Sequence, residues 1–155
     1  MASRQKFPQA DFLDQLRQVS QTATMADGLS LMPQWAQRHR QGAAETGAWQ
    51  LTQAGEWLLQ VLTAKQALAQ AAFDTELAAD ELRRYQKFAK PGQPWAHIVQ
   101  LRQKQAAARQ ASHIAKQAFL KAAAQLVRGL PLDVPPRMTL EVFVQQWIDN
   151  HVPRS

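Results

Sequence analysis

The sequence predicts an all-α fold, a bundle of four to six helices built on one long antiparallel helical hairpin with its turn at Pro91-Gly92. Three observations carry this. Ala and Gln, both good helix formers, recur along the chain, and β-branched runs are absent. The six Gly and eight Pro fall mostly at punctuating positions. Between them, apolar residues return at three- and four-residue spacing, the period of a helix with one buried face. The chain has 155 residues and 46% hydrophobic content, with five Trp and six Phe. That is enough apolar surface for one core.

The first helix is expected from about Gln9 to about Met25. Pro8 suits a helix start, Phe12, Leu13, Leu16, Val19 and Ala23 make one apolar face, and Asp27-Gly28 is a stop signal. Leu29 to Pro33 reads as an apolar connection. A short helix carrying Trp35 is expected from Gln34 to about Gln41, and Gly42 and Gly47 then weaken the helical pattern. Thr46 is the expected N-cap of the next segment. From Ala48 to Ala89 there is no Pro and only Gly55 interrupts. Trp49, Leu51, Ala54, Leu58, Val61, Leu62 and Leu68 keep a helical stripe there, in one long helix or two nearly collinear pieces.

Lys90-Pro91-Gly92-Gln93-Pro94 is the clearest break. Pro91 and Gly92 end one helix and Pro94 begins another, and so short a connection makes the two antiparallel neighbours. The second arm is expected from Trp95 to about Arg128, closed by Gly129-Leu130-Pro131. Residues 1–130 are thus read as the helical bundle and residues 131–138 as a stiff Pro-rich linker. Residues 139–151 form a C-terminal amphipathic helix that docks on the bundle or on a partner. Thr139 is its N-cap, Glu141 complements its dipole, and Leu140, Phe143, Val144, Trp147 and Ile148 form its stripe. Phe143 and Trp147 are its candidate partner-binding anchors.

Function is read from charge. The chain carries 18 Lys and Arg against 12 Asp and Glu, a net charge of +6, with a pI near 10.2. From Leu82 to Leu132 it contains no acid at all. That stretch holds Arg83, Arg84, Lys87, Lys90, Arg102, Lys104, Arg109, Lys116, Lys121 and Arg128. Folded surfaces ordinarily mix their signs, and exposed helices gain from Glu–Lys pairs four residues apart. A surface of one sign is most simply explained by a bound polyanion.

On a helical wheel with Arg102 at zero, Arg109 and Lys116 fall within roughly 40° of it and His113 lies about 20° away. Lys121 and Arg128 sit on the flank. Leu101, Ala107, Ala108, Ala111, Ile114, Ala115, Ala118, Phe119, Ala122 and Leu126 are expected to form the opposite, apolar face. The candidate nucleic-acid-binding residues are therefore Arg83, Arg84, Lys87 and Lys90 at the hairpin tip and Arg102, Arg109, His113, Lys116, Lys121 and Arg128 along the second arm. Gln103, Gln105 and Gln110 offer added hydrogen bonds. Lys104 points towards the apolar side and is expected to snorkel or to meet an acid of another helix. Asp80 can pair with Arg84. Tyr85 and Phe88, with Trp95 past the turn, are candidates for base stacking or for core packing.

Other chemistry finds no footing. The absence of Cys excludes a disulfide framework, a thiolate nucleophile and Cys-ligated metal sites. The four histidines, His39, His97, His113 and His151, share no metal-ligand spacing. Asp11 and Asp14 read as dipole complements of the first helix. There is no phosphate-binding glycine loop and no nucleophile–base pair. No signal peptide or membrane span is visible, so the reading is a cytoplasmic protein with no membrane, metal or cofactor. The sequence therefore points to a non-catalytic nucleic-acid-binding accessory protein. It would grip phosphate backbone through the basic hairpin, as a small subunit of a nucleoprotein assembly. The alternatives are a helical adaptor for an acidic protein partner and a self-assembling bundle. DNA or RNA, single or double strand, and oligomeric state stay open.

Overall fold

A computed structural model of the chain describes residues 7–22, 35–38, 49–88 and 95–152. The elements in order are α1 (Ala10–Thr22), β1 (Ala36–Arg38), β2 (Trp49–Leu51), α2 (Gln53–Phe88), α3 (Trp95–Gly129) and α4 (Leu140–His151). Four helices dominate, as the helical composition requires. The expected hairpin turn at Pro91-Gly92, with Lys90, lies outside the described residues.

The 36 residues of α2 form one helix, about 54 Å long at 1.5 Å per residue. Its N-cap is Thr52, whose Oγ1 accepts from the Gly55 amide at 3.0 Å. Thr46, expected in that role, lies outside the described residues. The 35 residues of α3 run beside α2. Thr75 meets Ala108, Glu81 meets Lys104 and Tyr85 meets His97. Numbers that rise along α2 fall along α3, so the pair is antiparallel.

Within the expected short helix at Gln34–Gln41, Ala36–Arg38 form a strand, while Gln34 and residues 39–41 lie outside the described residues. β1 pairs antiparallel with β2, Ala36 opposite Leu51 and Arg38 opposite Trp49. Trp49 and Leu51, expected on a helical stripe, instead flank the exposed Gln50 with the two-residue alternation of a strand. An isolated helix of eight residues is marginal. Pairing with β2 supplies backbone partners and seats Trp35 in the core, where it is 2% exposed.

The main core gathers Leu13, Leu16 and Val19 of α1, Trp35 just before β1, Leu58 and Leu62 of α2, and Phe119, Ala123 and Leu126 of α3. Val144 and Ile148 of α4 join it and are wholly buried, so α4 docks on its own bundle. Its cap is as expected: Thr139 Oγ1 accepts from the Val142 amide at 3.3 Å. Two glycines let elements touch. A Cβ on Gly55 would collide with the Trp35 carbonyl oxygen, and one on Gly129 with the Trp57 ring.

The core ends near Leu68 and Phe119. Beyond it, the buried residues Ala71, Ala78 and Leu82 face Leu101 and Ala115. This distal part of the hairpin, Ala71 to Phe88 on α2, extends about 27 Å. The seam of the whole hairpin on α3 runs Leu101, Ala108, Ala115, Phe119, Ala122, Leu126, the narrow stripe of a two-helix contact. Ala107, Ala111, Ile114 and Ala118, expected on the buried face, are exposed instead, because one neighbouring helix covers a stripe and not a half-cylinder.

Candidate nucleic-acid interface

The seam orients everything else on α3. With Arg102 at zero and about 100° per residue, the seam centres near about 240°. Lys116, Arg109, Arg102 and His113 fall between about 320° and about 20°, and Arg128 and Lys121 at about 80–100°. All six are exposed. Gln103, Gln110 and Gln117 are exposed among them, whereas Gln105 is half-buried in the seam and is not part of this face. The sevenfold step from Arg102 to Arg109 to Lys116 sets these cations about 10.5 Å apart along a straight line.

On α2, Arg83, Arg84 and Lys87 are exposed on the last two turns. Lys90 lies outside the described residues. Arg83 pairs with Asp80 three residues before it, a contact expected for Arg84. Tyr85 is half-buried, with its ring 4.3 Å from that of His97, edge-on. The side chains of Phe88 and Trp95 lie outside what is described.

Three acids of α2 have identified partners. Glu81 holds Lys104 at 2.8 Å, on the flank away from Arg109, and Asp80 holds Arg83. Asp74 accepts from the Gln70 amide at 3.0 Å. Glu141 of α4 stands 3.8 Å from Lys116. Arg109 forms no ion pair among the described residues. The Lys104–Glu81 contact is the interhelix pairing that the wheel position of Lys104 suggested.

Phe143 and Trp147 are half-buried against the core. The Trp147 ring meets Trp35 edge-on at 6.3 Å and stacks on His151 at 4.8 Å. They anchor α4 to its own bundle.

Sequence reading missed two features nearby. One is a buried polar joint: Lys65 Nζ lies 3.1 Å from Asp149 Oδ1 and 3.5 Å from Gln9 Oε1. Gln9 is itself fully buried and donates to Asp149 at 3.0 Å. The other is a shallow groove of about 630 Å³ between α2 and α3, lined by Leu59, Ala64, Ala67, Ala118, Lys121 and Ala122. Ile114, 59% exposed, stands on the same flank of α3, one turn before Ala118. No local sequence signal marks either, since both depend on residues far apart in the chain.

Among the described residues no three His, Asp or Glu are placed to hold a metal ion, and no helix is long and apolar enough to cross a membrane. Comparison with protein-family models, curated proteins and solved structures finds no match.

Proposed function

We propose that this protein is a non-catalytic accessory factor that binds nucleic acid along its phosphate backbone. One observation carries the reading: a two-helix hairpin exposes Arg83, Arg84, Lys87, Arg102, Arg109, Lys116, Lys121 and Arg128 in a stretch that contains no acid from Leu82 to Leu132. Such a surface binds by releasing the counterions condensed on a polyanion. Its contacts set position more than they read sequence. The test is fluorescence anisotropy with labelled DNA and RNA from low to physiological salt. Binding that weakens steeply with salt, and is lost in the Arg102→Glu/Arg109→Glu/Lys116→Glu variant, supports the reading. No binding at low salt overturns it.

A second reading has its own observation, the apolar groove bordered by Lys121, with Ile114 exposed beside it. Its occupant in that reading is an amphipathic helix of an acidic protein, matched to the Lys121 rim and the net charge of +6. Ala118→Arg would block that partner without weakening nucleic-acid binding.

A further inference from the structure

We infer that the nucleic acid is a duplex and not a single strand. The inference rests on the reading of the basic hairpin as a phosphate-binding surface, and it follows from what else that surface offers.

Single strands are held by two contributions, charge and the stacking of bases on aromatic rings, each stacked base contributing about 1–3 kcal/mol. Stacking offsets the entropy lost when a flexible strand is ordered. The solvent side of α3 from Arg102 to Arg128 provides charge and side-chain amides: Arg102, Gln103, Arg109, Gln110, His113, Lys116, Gln117, Lys121 and Arg128. It carries no Phe, Tyr or Trp. Phe119, the one such residue within that span, is wholly buried, and the one exposed ring is the small imidazole of His113. Tyr85 is engaged with His97, and Trp35, Trp49, Trp57 and Trp147 pack in or against the core.

Along this described face of α3 charge then decides between the two forms, and it favours the duplex. A duplex carries one phosphate charge per about 1.7 Å of axis against about 3.4 Å for one of its strands, and it releases more counterion per phosphate neutralised. Its phosphates are also already in place. The face of α3 is equally preordered. From Arg102 to Arg128 it is one uninterrupted helical run of about 39 Å, close to one turn of duplex at about 34–36 Å. Paired DNA and paired RNA share this chemistry.

The experiment uses the full-length chain and four labelled probes: one non-self-complementary DNA strand, its duplex, and the RNA equivalents of both. Anisotropy titrations are run across a salt series. The expected result is at least about tenfold tighter binding to a duplex than to its own strand, with the steeper salt dependence on the duplex. The two duplexes compared with each other separate DNA from RNA. Single-strand binding equal to or tighter than duplex binding, still weakened by Arg109→Glu, overturns this inference and leaves backbone binding standing. Loss of that single-strand binding in a Phe88→Ala/Trp95→Ala variant would then assign it to stacking at the tip. Absence of binding to all four probes overturns the backbone reading itself.

Discussion

Lys116 Nζ and Glu141 Oε2 stand 3.8 Å apart, joining the basic ridge of α3 to the first turn of α4. Glu141 is thus the acid placed at the base of the candidate phosphate-binding ridge. Its charge partly neutralises Lys116 and repels an incoming phosphate. Glu141→Gln should tighten nucleic-acid binding about two- to fivefold at low salt, with the gain fading as salt screens the site. The helix should lose about 0.3–1 kcal/mol of dipole complement. Anisotropy and urea unfolding read the two effects separately. Unchanged or weaker binding would remove Lys116 from the interface.

Arg109 and Lys104 lie five residues apart on α3 but on different flanks. Lys104 is held by Glu81 at 2.8 Å, whereas Arg109 has no ion-pair partner among the described residues. Each change to Ala removes one positive charge. Arg109→Ala should lower the slope of log affinity against log salt by about one unit. Lys104→Ala should leave the slope nearly unchanged. Equal effects from both would mean that net charge, and not a defined ridge, drives binding.

Gly129→Ala should destabilise the fold by about 1–3 kcal/mol, because the new methyl meets the Trp57 ring. Gly55→Ala should cost about as much, by driving the Trp35 carbonyl away from the start of α2. Ala is ordinarily the better helix residue, so stabilisation in urea unfolding would show that these contacts are looser than the structure has them.

Lys65 joins α2 to Asp149 of α4 and to the buried Gln9, with only 13% of its side chain exposed. Asp149→Ala strands that ammonium and the Gln9 amide, and should cost about 1–3 kcal/mol. Adding Lys65→Met keeps the aliphatic stem without the charge and should recover part of the loss. A double variant no more stable than Asp149→Ala alone would show that the pair is not coupled.

The long hairpin was legible in the sequence because its signals are local. Pro91-Gly92 and Pro94 divide two uninterrupted runs of helix formers, Thr139 marks the start of α4, and the acid-free run from Leu82 to Leu132 needs only counting. The strand pair was not legible. Ala36–Arg38 and Trp49–Leu51 are three residues each, too short for a two-residue period to stand out from a helical one. The exposed positions of Ala107, Ala111, Ile114 and Ala118 were hidden for a different reason. A wheel shows which residues share a side, but not how wide a neighbour covers it.

By itself the sequence determined a helical protein with one strongly basic third, because helix propensity, punctuation and charge act over a few residues. Only the tertiary structure decided the rest. It placed Val144 and Ile148 in the shared core, paired Glu81 with Lys104, and brought Asp149 to Lys65 across 84 residues of chain. Burial and ion pairing depend on which distant surfaces meet. For this chain that is settled by the narrow α2–α3 seam and the close approaches at Gly55 and Gly129.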